Sequence, residues 1–282
     1  MLISEFLRRK LPIIGWGLLI LFLMACNNNN LRENDDHLSK ENATTPIINY
    51  AVINSYPHDT TSFTEGLLIY KGQLFESTGS PENMPQTKSL FGTFDTITGK
   101  INKKVELDRN KYFGEGITFL NDKVYQLTYQ TKIGFIYDAK TFNKLGEFNY
   151  PGKEGWGMTT DSTYLIMSDG TGFLYFVDPS GFKTVKTVQV ENEKGPVIKI
   201  NELEYINNFI YANVYETNSI LKIDPVSGKI IGLLDLTSLA NEARGRYPGS
   251  MEMNGIAYDP LSGKIYITGK MWPTLYKIQF SH

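Results

Sequence analysis

From Ile47 onward the chain alternates short apolar runs with turn-forming residues, and the alternation recurs five times. Five segments share an opening Gly or polar residue, an apolar run, a turn and a second apolar run. They are FTEGLLIYKGQLFEST (63–78), FGEGITFLNDKVYQLT (113–128), EGWGMTTDSTYLIMSD (154–169), NELEYINNFIYANVYE (201–216) and NGIAYDPLSGKIYITG (254–269). A second pattern of run, Asp, turn and run interleaves with them at 91–107, 134–150, 173–190 and 219–236, with a shortened copy at 274–280. Short apolar runs bounded by Asp-Pro, Ser-Gly and Lys-Gly predict strands joined as hairpins. The turn residues Asp95, Asp138, Asp178 and Asp224 lie 43, 40 and 46 positions apart. Four strands in roughly 40 to 45 residues is the period of a propeller blade, so residues 47–282 predict an all-β, five-bladed β-propeller. The last unit has only three recognisable strands. The orphan run IINYAVINSYPHD (47–59) is expected to join that last blade as its outer strand and close the ring. Closure protects strand edges that would otherwise invite aggregation. A β-sandwich is the competing fold, but it gives no reason for five repeats of the same two turns.

Ahead of Ile47 the pattern disappears. Arg8, Arg9 and Lys10 precede an apolar run at 11–25, too short to span a bilayer comfortably and suited to a signal peptide. The run ends in Leu23-Met24-Ala25-Cys26, which resembles a bacterial lipobox and predicts cleavage before Cys26 with lipid on its sulfur. Residues 26–46 are polar and nearly free of apolar side chains, which predicts a flexible tether. The expected organisation is a signal peptide (1–25), a lipidated Cys with its tether (26–46) and the propeller (47–282). The expected location is a bacterial membrane, at its periplasmic face or the cell surface. Lipid on Cys26 would hold the protein there.

Composition narrows the chemistry. A net charge of −2 with no basic block argues against a nucleic-acid partner. Cys26 is the one cysteine, so no disulfide and no thiol nucleophile are available to the folded domain. The three histidines are His37 in the tether, His58 and the terminal His282. They cannot assemble a His or Cys zinc site, and no cofactor or metal is expected. An all-oxygen calcium site stays open.

In a propeller the inner strands begin near one end of the central channel. Residues opening each unit therefore converge from different blades. Here those positions carry Phe63, Glu65, Phe113, Glu115, Trp156, Asn201, Glu202 and Asn254, with Lys270 nearby. Apolar walls with a few convergent polar groups are the general form of a small-ligand pocket. Each residue also has a plainer use. Glu115 alone reads as a turn-bonded carboxylate, Asn201 as a turn cap, Trp156 as inter-blade packing and Lys270 as a strand-end charge. Glu202, Glu204 and Asp161 are taken as structural.

The stretches FTEGL, YFGEGIT, EGWGMTTD, NELEYINN, YANVYETN and NGIAYD, with TGKMWPTLYKI, resemble those of the plant- and bacterial-type glutaminyl-peptide cyclotransferases. The resemblance runs in order across residues 48–280. It implies a five-bladed propeller, in agreement with the repeat count. It also implies an acyltransferase that closes the N-terminal glutamine of a peptide or protein into pyroglutamate and releases ammonia. By the same resemblance Glu115 is the catalytic acid/base, Asn201 and Lys270 hold the substrate, and Phe63, Phe113 and Trp156 form aromatic walls. Glu65 falls where plant members carry Gln. Tyr129 and Tyr215 stand where the family usually has Trp, which keeps an aromatic wall but alters its size and adds a hydroxyl. The expected enzyme is a metal-independent monomer. The alternatives are a non-catalytic surface propeller that binds peptides or glycans, and a propeller hydrolase such as a lactonase.

Overall fold

The computed structural model describes residues 45–282. The expected signal peptide, Cys26 and the tether up to residue 44 lie outside the described residues. The strands assemble into five antiparallel four-stranded sheets, the blades of the expected propeller. Strand β1 (Tyr50–Pro57) comes first in the chain. Blade 1 follows with β2 (Phe63–Tyr70), β3 (Gln73–Gly79), β4 (Leu90–Asp95) and β5 (Lys100–Glu106). Blade 2 holds β6 (Gly114–Leu120), β7 (Lys123–Thr128), β8 (Ile133–Asp138) and β9 (Lys144–Asn149). Blade 3 holds β10 (Met158–Thr160), β11 (Leu165–Ser168), β12 (Phe173–Val177) and β13 (Thr184–Gln189). A small hairpin, β14 (Glu191–Asn192) with β15 (Gly195–Pro196), precedes blade 4. Blade 4 contains β16 (Ile200–Ile206), β17 (Phe209–Val214), β18 (Ser219–Ile223) and β19 (Ile230–Asp235), and helix α1 (Thr237–Arg246) follows it. Blade 5 contains β20 (Met253–Asp259), β21 (Lys264–Gly269) and β22 (Thr274–Phe280), with β1 paired along β22 from Tyr50 opposite Phe280 to Pro57 opposite Thr274.

Burial falls from the inner strand of a blade to its outer strand, and the sequence follows. Innermost β6 is buried at every position and reads as a near-continuous run. Outermost β5 is exposed or half-buried throughout and reads KINKKVE. Apolar side chains from facing sheets form separate clusters at the seams. The seam between blades 4 and 5, with α1, buries sixteen such residues, Trp272 and Tyr211 among them. The seam between blades 5 and 1 buries five: Leu67, Leu74, Phe94, Ala257 and Leu275. At about 1.5 to 3 kcal/mol per large apolar side chain, this last seam has the least apolar stabilisation. A polar network reinforces it. His58 directs Nδ1 to the Trp272 carbonyl at 2.7 Å and Nε2 to Glu76 Oε1 at 3.1 Å, and Thr64 Oγ1 donates to the same oxygen at 2.8 Å. Burial alone would depress the His58 pKa. Glu76 and the Trp272 carbonyl outweigh it and raise the value, so the ring favours its imidazolium form.

The inner strands crowd the axis, and their shared register shows it. Glu65-Gly66-Leu67, Glu115-Gly116-Ile117, Trp156-Gly157-Met158, Asn201-Glu202-Leu203 and Asn254-Gly255-Ile256 occupy equivalent positions. In blades 1, 2, 4 and 5 the ladder slips at this point: between Thr64 and Gly66, Gly114 and Ile117, Ile200 and Leu203, and Met253 and Ile256. Such bulges re-aim side chains, and in blades 1, 2 and 4 they accompany the turning of Glu65, Glu115 and Asn201 toward the channel mouth. A Cβ on Gly116 would sit 2.6 Å from the Met158 nitrogen and 2.7 Å from the Trp156 oxygen. One on Gly157 would sit 2.2 Å from the Asn201 oxygen. In blade 4 Glu202 takes the place of the glycine. Its carboxylate reaches across the axis and accepts from the Leu67 amide at 3.2 Å and the Ile256 amide at 2.9 Å. Glu204 accepts from the Tyr258 amide at 2.8 Å, and Asp161 from two amides of its own turn, Thr163 and Tyr164. All three thus engage backbone or turn groups.

Two features are additions to the repeat. Helix α1 buries Leu239, Ala240 and Ala243 against the seam of blades 4 and 5. The β14–β15 hairpin is too short to register as a strand pattern. The crowding at the axis has a direct test. Gly116→Ala is expected to destabilise the fold by about 1 to 3 kcal/mol, read as a lower midpoint in urea unfolding.

Candidate active site

Side chains from the inner edges of four blades meet in one cavity of about 190 Å³. Glu65, Glu115, Trp156 and Asn201 line it, each from the equivalent register position of its blade. Phe63 and Phe113 lie two residues before the two acids and point to the same face, as alternate strand residues do. Tyr129, Tyr215 and Lys270 complete the expected set. All nine residues proposed from sequence therefore border one cavity.

The aromatic rings interlock as a wall. Phe63 meets Phe113 edge to face at 5.9 Å, Phe113 meets Tyr129 at 5.8 Å, and Trp156 meets Tyr215 edge to face at 5.5 Å. Edge-to-face pairs of this kind are individually favourable and fix ring orientation. The Trp156 indole N–H donates to Glu154 Oε2 at 2.9 Å, and Gln130 Nε2 donates to the other Glu154 oxygen at 3.1 Å.

Three ionisable groups meet inside this wall. Lys270 Nζ donates to Glu65 Oε1 at 2.7 Å and lies 4.6 Å from the Phe63 ring centre and 5.6 Å from that of Tyr215. Glu65 Oε2 accepts from Asn254 Nδ2 at 3.0 Å. Burial pushes the Glu65 carboxyl up to about 7, against the pull of Lys270. Burial, and then the neighbouring Glu65 charge, hold Glu115 well above the usual carboxylate range. Glu65, with Lys270 and Asn254 donating to its two oxygens, is the acid of the two better suited to carry the charge. Burial would depress Lys270, but Glu65 and Glu115 reverse the effect and raise it. The site thus holds an ammonium beside two carboxyl groups that burial makes reluctant to ionise. A low-dielectric wall makes each interaction stronger than it would be in water. Asn201, 3% exposed, adds an amide whose oxygen is buried without a partner in the protein. That amide is available to a ligand.

The sequence reading left out two neighbours. Pro81 borders the cavity from the loop between β3 and β4. Arg109 holds that loop through the carbonyls of Pro81, Pro85 and Thr87 at 3.0 to 3.1 Å. A loop held by an arginine of a different connection carries no periodic signal. Asn254, placed among the convergent residues, does not line the cavity; it touches Glu65 from behind. Its equivalence to Glu65 and Glu115 in the repeat is the signal that marks it.

Comparison with known proteins identifies the family of the chain. The family described as glutamine cyclotransferase matches residues 19–280. A glutaminyl-peptide cyclotransferase of Arabidopsis thaliana is 39% identical over 231 residues, which span 81% of this chain and 70% of that protein. The crystal structure of Myxococcus xanthus glutaminyl cyclase superposes with a TM-score of 0.75 at 33% identity, covering 84% of this chain and 98% of that one.

Burying a reluctant acid costs stability in a definite pH range. Below the ordinary carboxylate value of 4.5, both folded and unfolded chains hold the Glu115 proton and nothing is lost. As pH rises, the unfolded chain ionises while the folded one resists, so the penalty on the folded state grows until pH reaches the raised value and keeps its full size above it. Glu115→Gln is therefore expected to melt above the parent at pH 8, with the difference shrinking toward pH 4.5. A calorimetric pH series checks this.

Proposed function

Because the chain belongs to the glutamine cyclotransferase family, we propose that it closes the N-terminal glutamine of peptides or proteins into pyroglutamate, with Glu115 carrying the proton between the two nitrogens. The observation that supports this most is the neutral, buried acid of Glu115 in an aromatic-walled cavity beside the Glu65–Lys270 pair.

The reaction joins two groups of one residue. The free α-amine attacks the side-chain carboxamide carbon, the new C–N bond closes a five-membered ring, and a tetrahedral centre forms. Glu115 gives its proton to the amide nitrogen and recovers one from the attacking nitrogen. The old C–N bond then breaks, ammonia leaves and Glu115 is again protonated. Well-oriented intramolecular reactions reach effective molarities of roughly 10⁵ to 10⁸ M, so holding one rotamer supplies much of the rate. Phe63, Phe113, Tyr129, Trp156 and Tyr215 provide that mould. Lys270 offers positive charge to the developing oxyanion, and the unpartnered Asn201 amide holds a polar group of the substrate. Both Glu65 oxygens already accept bonds from Lys270 and Asn254, which suits Glu65 to anchoring Lys270. The route draws on side chains alone, so turnover is expected to survive a chelator.

The lipid anchor belongs to the same proposal. Leu23-Met24-Ala25-Cys26 and the polar stretch after it support an exported enzyme held to a bacterial membrane. Cys26→Ala is expected to shift the protein from the membrane to the soluble fraction after fractionation; retention in the membrane would count against the anchor.

For the chemistry, Glu115→Gln is expected to lower turnover of a Gln-initiated peptide by roughly 10²- to 10⁴-fold. Mass spectrometry reads the product as the loss of one ammonia. Near-parental turnover in that variant would overturn the assignment of Glu115.

A further inference from the structure

We propose that Asn254 is a positioning residue that keeps Glu65 as the proton-free member of the acid pair and so leaves the transferable proton on Glu115. The inference rests on the function proposed above and concerns a residue outside the cavity wall.

Asn254 is the fifth member of the register ring that supplies Glu65, Glu115, Trp156 and Asn201. The other four face the cavity, whereas Asn254 is fully buried and does not line it. One atom of its amide makes two contacts: 2.9 Å to the Thr64 carbonyl oxygen and 3.0 Å to Glu65 Oε2. A carbonyl only accepts, so that atom is the nitrogen and Glu65 Oε2 receives a proton donor. Lys270 supplies a donor to Oε1. Glu65 thus accepts at both oxygens, with one charged and one neutral donor, and has no favourable place for a proton of its own. Hydrogen bonds to the charged form of an acid favour that form. The opposite amide atom, Oδ1, is buried without a partner. The protein tolerates an unsatisfied oxygen there, a cost of about 1 to 3 kcal/mol for a typical buried polar group, and keeps the nitrogen on Glu65.

The electrostatic setting makes the choice consequential. Glu65 is faced by Lys270 after β21, Glu115 of β6, Glu252 ahead of β20 and Glu202 of β16. Glu115 is faced in addition by Glu154, and the phenols of Tyr129 and Tyr150 lie near it. Three carboxyl groups thus surround Glu65, and the Asn254 hydrogen bond adds to the Lys270 ion pair in favouring the charged form of Glu65 over that of Glu115.

The test uses two variants of the full-length chain: Asn254→Leu, which removes the donor, and Asn254→Asp, which substitutes a group that becomes an anion. The acid limb of the kcat/KM profile on a Gln-initiated peptide is expected to move to higher pH by about one unit in Asn254→Leu and further in Asn254→Asp. The substrate amine titrates identically in all three proteins, so the displacement reports the enzyme. Infrared difference spectra over the same pH range give a readout independent of turnover. In the parent, the protonated carboxyl band is expected to vanish in Glu115→Gln. In Asn254→Leu, part of that band is expected to move to Glu65 and to vanish instead in Glu65→Gln. Profiles that superimpose after scaling, with the band unmoved, would overturn the proposal and leave Asn254 a structural residue. A parent that does not cyclise would instead sink the functional reading, while the infrared arm still judges Asn254.

Discussion

The close approach of five inner strands around one axis is the constraint from which the rest follows. Backbones there come so near that a methyl group at Gly116 or Gly157 would enter van der Waals space already taken by the next blade. Bulges accompany this approach in four of the blades, and four of the five equivalent positions face the channel mouth. The site is therefore a by-product of closing the ring. Four of its polar or aromatic members are fixed by backbone geometry that serves packing first. Where blade 4 lacks the glycine, Glu202 bonds the inner strands of blades 5 and 1, so the axis is joined by a carboxylate as well as by contact.

Much of this was legible in the sequence because repetition amplifies a weak signal. One hairpin pattern such as 113–128 is ambiguous, but five copies at a near-constant period specify a propeller. The convergence of Glu65, Glu115, Trp156 and Asn201 was legible for the same reason, since equal repeat positions become equal positions in space. Elements outside the period were not. Helix α1 has apolar residues Leu236, Leu239, Ala240 and Ala243 at helical spacing, yet they sit in a connection that the strand pattern skips. Pro81 reaches the cavity through a loop held by Arg109, an interaction with no periodicity to find. Tyr129 and Tyr215 came from family resemblance alone, and the two lie on opposite stretches of wall, one against Phe113 and one against Trp156.

The contacts also explain why the acids need one another. Glu65, Glu115 and Lys270 are each nearly inaccessible to solvent. A lone buried carboxylate would be strongly disfavoured, and two beside one ammonium cannot both ionise easily. The arrangement holds both carboxyl groups above their ordinary pKa range. A better-packed apolar replacement would be more stable and chemically inert, which is the usual exchange between stability and activity. The His58–Glu76 pair is a second buried set, and it reinforces the seam with the fewest apolar contacts. It shares the Thr64 segment with the Asn254–Glu65 contact, so the two polar clusters meet on adjoining residues.

The ring of equivalent register positions also separates framework from reagent. The backbone at these five points is dictated by crowding, while the side chain is left unspecified by it: acid, acid, indole, amide, amide. Exchanging one of them alters what the mouth does to a small molecule without rethreading a strand. Such an architecture lends itself to laboratory diversification, since a library confined to the four cavity-facing codons would sample new reactivities on a propeller that has already solved its own folding problem.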